Sequence, residues 1–570
     1  MRTFAPLFAL TTLLAALPAQ VTVSPFRFVP ADSTVVMRFA GPAKWKQKFA
    51  TTQVAKLMQG QALAPMMTQL TDAFGQGMDE IRKSGKFDAD LVESLLKDYA
   101  GDIVVALQLD LSNLEELMQS GETPPVGVVV ALTADNSYDL GKLAAAIDKA
   151  TEANAADLGT MRDLTVGAHR LRVAQQENGA TTVPMLVDGQ LLLLGGNDID
   201  KFAAKVLGDG PRFAAPAGDS AMMMHVQLDS VMSTFIDAVG SQVAAMGAPF
   251  DPAEIMRDLG LGALTSLQFA VGNDGKHVTG EYTIGMKEGN RGMLDLFTGG
   301  AGAPKLLRCV PPTAETFSVM PFQANRLMEV VGKVWSALGD EVPMTWEQAQ
   351  TAATESLKVR LQEDLFAHMG SELMMLDDAD AATDEADEDD ESPLAALNGT
   401  CIGLSLRDGK AFGESIEKMV RARGMHAARK TEEYLGTKVH KLKFAGLVDI
   451  EYAITDDVML LGIGGKESTH RSLRSALDAR ASTESGLPTA AKEHTAALPE
   501  GWNGLSCTSM ANTMSMLGTA LAADDEMPEQ AKMFSSVLTA VAADLKRLGI
   551  DRSVSASYST PAGMTVRMRW

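Results

Sequence analysis

A long internal repeat constrains this chain more than any other feature of its sequence. Gly101 and Gly370 stand 269 positions apart, and the same interval separates Gly167 from Gly436 and Gly195-Gly196 from Gly464-Gly465. Glycine is kept where a turn needs positive φ or two backbones approach closely, so its recurrence implies recurring backbone geometry. The phrases around these landmarks repeat as well. Val29-Pro30-Ala31-Asp32-Ser33 precedes a strand-like run at 35–39, and Val310-Pro311-Pro312-Thr313 precedes another at 317–320. Runs at 103–109 and 372–376 follow the first glycine pair, and apolar segments 128–132 and 402–406 each lead into a helical pattern. The alternation after Gly167 and after Gly436 is out of step by one residue.

Each half closes on a hairpin pattern. In the first, residues 263–271 and 277–284 flank Asn273-Asp274-Gly275; in the second, 553–559 and 564–570 flank Thr560-Pro561-Ala562-Gly563. Hairpin-joined strands interleaved with amphipathic helices predict an α+β fold. The expectation is two tandem copies of a mainly antiparallel sheet with helices packed on one face, spanning 20–305 and 306–570. Two stretches break the pattern. Residues 377–393 hold an acidic insert, with ten acidic residues among 377–391, and such a run reads as disordered and solvated. It has no glycine for a calcium-loop turn. Residues 479–499 read as a second, flexible and polar segment.

Residues 1–19 have the form of a cleavable signal peptide: Arg2, an uncharged apolar run from Phe4 to Leu17, then Pro18-Ala19-Gln20, with the cut expected after Ala19. The run is shorter than the ~18 residues needed to span a bilayer, and no later segment is long and apolar enough to do so. The mature chain is therefore expected to lack a membrane span and to be periplasmic or secreted. Its 46% apolar and 22% charged residues suit a globular protein, and a net charge of −23 argues against nucleic-acid or anionic-membrane partners. Cys309, Cys401 and Cys507 are too few and too far apart for a disulfide scaffold; one pair at most could form. Thirty-three methionines beside 5% aromatics suggest adaptable apolar packing, with an apolar ligand surface as the sharper alternative.

No catalytic, cofactor or metal site is expected. Gly462-Ile463-Gly464-Gly465-Lys466 lacks the spacing and hydroxyl of a phosphate loop, and the first half has Asn197 where Lys466 would be sought. It reads as a strand-to-helix turn. Ser94/Lys97 and Ser415/Lys418 match a serine–lysine spacing without the motifs that accompany it in penicillin-recognising enzymes. The histidines at 169, 225, 277, 368, 426, 440, 470 and 494 are scattered, and none falls in a zinc-ligand spacing. Asp102 follows a repeated glycine, but its counterpart is Ser371, so the carboxylate reads as no part of the shared design.

The repeated phrases, with Tyr434-Leu435-Gly436-Thr437-Lys438 and the run at 459–477, resemble a family of exported bacterial proteins found in planctomycete-like genomes and known only as a domain of unknown function. That resemblance implies an extracytoplasmic setting and carries no catalytic residues. The leading expectation is a non-enzymatic binding protein with a protein or apolar-ligand partner. A structural envelope component and an envelope hydrolase are its rivals.

Overall fold

The computed structural model describes residues 24–60, 63–84, 88–111, 124–135, 138–153, 159–176, 179–214, 218–246, 250–289, 291–300, 302–339, 342–377, 399–444, 448–463, 467–482, 486–523, 529–560 and 562–570. The expected leader, the acidic insert beyond Asp377, and Gly464-Gly465-Lys466 lie outside the described residues. Contacts divide the chain into two compact units. One holds residues up to Ala238 with Thr265–Thr283; the other holds Val239–Leu264 with Ile284–Trp570. Residues 239–264 and 284–305, expected in the first unit, thus group with the second.

The strands of the first unit are β1 (Val35–Ala40), β2 (Asp102–Leu109), β3 (Val126–Thr133), β4 (Thr160–Val166), β5 (His169–Gln176), β6 (Gly179–Thr182), β7 (Met185–Val187), β8 (Gln190–Gly196), β9 (Met222–Gln227), β10 (Leu264–Asn273) and β11 (Val278–Met286), the last two cut by the unit boundary. They pair antiparallel in the order β4-β5-β6-β8-β3-β2-β1-β9-β10, with β7 against the other end of β8. The helices are α1 (Pro42–Phe49), α2 (Gln53–Met58), α3 (Ala64–Ser84), α4 (Ala89–Asp98), α5 (Leu140–Ala153), α6 (Ile199–Leu207) and α7 (Asp229–Ala245), the last cut by the unit boundary.

The second unit begins with α8 (Pro252–Asp258). Its strands are β12 (Thr316–Pro321), β13 (Met369–Asp377), β14 (Thr400–Leu406), β15 (Lys430–Tyr434), β16 (Thr437–Phe444), β17 (Val448–Ile454), β18 (Val458–Ile463), β19 (Gly504–Ser509), β20 (Arg552–Thr560) and β21 (Gly563–Arg569). Their order is β15-β16-β17-β18-β14-β13-β12-β19-β20-β21, again antiparallel. From β15 to β20 this is, strand for strand, the order of the first unit. Its further helices are α9 (Ala324–Ala337), α10 (Trp346–Leu357), α11 (Gly409–Ala422), α12 (Glu467–Ala481), α13 (Thr489–Ala496), α14 (Met510–Ala523) and α15 (Glu529–Leu548).

The α+β class holds, but helices cover both faces of each sheet rather than one. Along β3, Val129 and Ala131 join a core with α6, while Val130 and Leu132 join another with α4 and α5. In the second unit, Val439 and Ala453 pack with α12 and α13 on one face, and Leu442 and Tyr452 pack with α11 on the other. A strand buried on both sides has no polar face, which is why 128–132 reads as one apolar run. Within 479–499, expected to be flexible, the described residues 486–499 include a helix. This is α13, which buries Ala491 and His494.

Register corrects two of the residue pairings expected from glycine spacing. The β4–β5 turn is Gly167-Ala168 between paired Val166 and His169, whereas the β15–β16 turn is Leu435-Gly436 between Tyr434 and Thr437. Glycine takes the first central position in one and the second in the other. Leu435 adopts φ 49° and Gly436 φ 74°, against φ 57° at Gly167. The true interval there is 268, which accounts for the one-residue shift in alternation. Likewise Ala40 faces Asp102 and Pro321 faces Glu372 at matching strand ends. Asp102 therefore corresponds to Glu372, not Ser371. Both backbone amides donate to the same kind of acceptor, a side-chain hydroxyl: Asp102 N to Thr133 Oγ1 at 2.7 Å, and Glu372 N to Ser405 Oγ at 2.9 Å.

Cys309, Cys401 and Cys507 are free thiols, fully buried in one core of the second unit. Burial pushes all three thiols up, Cys309 and Cys507 to about 11. A thiolate-specific reagent at mildly alkaline pH should therefore label none of them in the native protein and all three in strong denaturant. Rapid labelling of the native protein would show that this core opens.

Candidate functional site

The first turn of α11 sets one wall of a groove in the second unit. Asp408 caps the helix, its Oδ1 accepting from Ala411 N at 2.9 Å. Gly409 N donates to Asp456 O at 2.9 Å. A Cβ on Gly409 would sit 1.9 Å from Thr455 O, so only glycine lets the helix approach the β17–β18 turn this closely. Lys410, Gly413 and Glu417 follow at helical spacing and line the groove with Ile416. The opposite wall comes from the β15–β16 turn and from alternate residues of β16 and β17: Lys438 and His440, then Tyr452 and Ile454. Arg429, Asp456 and Arg480 complete the lining of a space of about 530 Å³.

Its charges are held in place. Glu417 Oε2 accepts from Arg429 Nη1 at 2.5 Å, and Oε1 from Arg421 Nε at 2.8 Å. Those two guanidinium groups hold the Glu417 carboxyl at about 2, well below the usual range. Arg429 also reaches Tyr452 Oη at 3.2 Å. The Tyr452 and His440 rings lie 5.0 Å apart, and His440 Nδ1 meets Thr431 Oγ1 at 2.9 Å. Burial, with the Arg429 guanidinium, pushes the His440 imidazole below its usual value. Arg480 is engaged by Asp457 at 3.0 Å. Four cations against two carboxylates leave the lining positive, although the chain as a whole is strongly acidic.

A second cluster lies on the other face of the same strands. Glu451, 1% exposed, pairs with His470 and lies 3.4 Å from Lys441. Lys441 also lies 3.4 Å from Glu432, which accepts from Arg474 Nη2 at 2.6 Å. Strand pairing matches Glu432, Lys441 and Glu451 to Leu164, Val173 and Thr182 in the first unit. An ionic chain thus stands where the first unit has two apolar residues and a threonine. The isolated histidine count gave no hint of it, because its members come from three strands and a helix.

The residues singled out in the sequence do not converge. Ser94 bonds Asp98 on the exposed side of α4, and the buried Ser415 donates to Ala411 O at 3.1 Å within its own helix. Asp102 is paired with Arg38 and Lys44 at 3.5 and 3.4 Å, and Glu372 accepts from Leu306 N. Asn197 holds Val126 N, while Asp198 caps α6. Among the histidines, His225 is half-buried against Phe213 and His494 is buried facing Arg567 O. Among the described residues no group of three or more His, Cys, Asp or Glu side chains could hold a metal ion, and no helix is long and apolar enough to cross a membrane.

No protein-family model matches the chain. No curated protein matches it either. Solved structures of TP0453 in crystal forms III and IV are similar at 7% identity and a TM-score of 0.21. They cover 47% and 46% of this chain and 81% of theirs. A likeness at this level does not bear on function.

Two outcomes follow from these geometries. Because the Glu417 carboxyl is depressed in the folded state, it stabilises the protein above its ordinary value of 4.5, and this contribution is lost as pH falls toward about 2. Glu417→Gln should therefore lower the thermal midpoint at neutral pH, with the gap to wild type closing across that window. Glu451→Ala strips a buried partner from Lys441 and His470. It should cost about 3 kcal/mol in denaturant unfolding, since removing one member of a buried pair strands the other. A loss near zero would mean that solvent already enters the cluster.

Proposed function

We propose that this is an exported, non-enzymatic binding protein whose ligand site is the groove between α11 and the β15–β18 strands. The observation that carries the reading is the groove itself: a space large enough for a small molecule, with an aromatic and aliphatic floor and charged groups fixed by ion pairs. Binding fits it better than catalysis. Thr455 Oγ1 is occupied with Val458 N and O. His440 meets the Thr431 hydroxyl, but among the described residues no carboxylate hydrogen-bonds its ring to orient it as a base. An apolar-ligand carrier fits less well, because the lining is charged and contains no methionine.

Export rests on the leader-like residues 1–19 and on the family resemblance. A tandem duplication rests on the strand order shared by the two units. A role through a protein partner draws on one further observation. Helix α14 has no charged residue, and it exposes Met516 at 71% and Leu517 at 46%.

The groove reading is tested by a ligand-observed NMR fragment screen of the whole protein and of Gly413→Leu. A Cβ at Gly413 meets only Ile454, at 3.7 Å, so the helix tolerates it while the longer side chain fills the groove. Hits on wild type should be lost in the variant with no fall in thermal midpoint. An unchanged set of hits would overturn the assignment.

A further inference from the structure

We infer that the groove takes a small organic anion, its acid group held by Lys410 and Lys438 and its body laid against Tyr452 and Ile454. This deepens the binding reading above and rests on it.

The two units provide the comparison. Asp139 and Asp408 cap helices of equal length that follow equivalent strands, which matches Lys410 to Gly141 and Glu417 to Asp148. The hairpin register matches Lys438 to Arg170 and His440 to Arg172. In the first unit these charges neutralise one another. Arg170 pairs with Asp163 at 2.6 Å, Arg172 with Asp148 at 2.9 Å, and the Lys410 position is a glycine. In the second unit the matching carboxylate Glu417 is taken up by Arg421 and Arg429, and Arg480 by Asp457. Among the described residues, no carboxylate lies within ion-pair distance of Lys410 or Lys438. The same scaffold is thus internally satisfied in one unit and left with two free ammonium groups in the other.

Their setting favours an anion further. Lys410 is the second residue of a fourteen-residue helix, so the positive end of the helix dipole adds to its charge inside the groove. Asp456 lines the space but pairs with neither lysine; its carbonyl is used by Gly409. The fixed guanidinium of Arg429 adds to the positive potential with its geometry already set by Glu417. An ionised acid meeting two flexible ammonium groups forms charge-assisted hydrogen bonds, while a neutral isostere of the same shape cannot. The floor of Tyr452, Ile454 and Ile416 asks for a planar or aliphatic body behind that acid group.

The test is isothermal titration of the full chain with three probes of one shape: benzoate, phenyl phosphate and the neutral benzamide. Benzoate or phenyl phosphate should bind about ten-fold more tightly than benzamide or better, and the stronger of the two assigns the acid type. Lys410→Gln/Lys438→Gln should remove that advantage. The charge-matched control Lys56→Gln/Lys97→Gln, in the first unit, should keep it. Both pairs replace exposed lysines and leave the fold intact. Benzamide binding as tightly as the anions, or anion binding equal in the two double variants, would overturn the anion inference and leave the groove as a binding site. Absence of binding by all three probes, together with no groove-dependent hit in the fragment screen, would overturn both.

Discussion

The period-two alternation of strands buried on both faces is the constraint on which the rest of this structure depends. Along β16, Lys438, His440 and Leu442 point toward α11, while Val439 and Lys441 point toward α12. A slip of one residue would exchange the two sets, sending the groove's charges into the core with α12 and the buried ion chain into the groove. The groove and the Glu451 cluster are therefore two products of one register. That register is set at the hairpins, where Leu435-Gly436 and the β17–β18 turn fix which residues oppose each other.

Charge is distributed in the same spirit. Ion pairs in the groove do little for stability where solvent reaches them, yet they hold Arg429 and Glu417 in defined positions. The Glu451 chain is different. Three of its members occupy positions that are uncharged in the first unit, and buried ion pairs are poor substitutes for apolar packing. Burying the Glu451 carboxylate costs desolvation that the matching Thr182 avoids.

Much of the architecture was readable from the residues. The strand runs, the closing hairpins, the α+β class and the turn glycines follow from local patterns, because turns and strand alternation are written in neighbouring residues. Equal glycine spacing was a coarser guide. It paired Gly167 with Gly436 although the turns use them at different positions, and it paired Asp102 with Ser371 although the strand ends align it with Glu372. Small insertions, such as the two-residue register shift in β13 between Met369 and Leu373, are invisible to counting and plain in hydrogen-bond register. Helix α13 is hidden from local reading for a related reason. Its burial of Ala491 and His494 depends on a distant core.

By itself the sequence determined the main strands and helices and the acidic balance of the chain, since these rest on contacts between residues close in the chain and on composition. Only the tertiary structure decided that helices cover both sheet faces, that the three cysteines share one core, and that Lys410 and Lys438 line one groove with no carboxylate partner among the described residues. Those facts depend on pairings across tens to hundreds of residues. No local pattern encodes them, because a side chain's partner is chosen by strand order and register rather than by its neighbours in sequence.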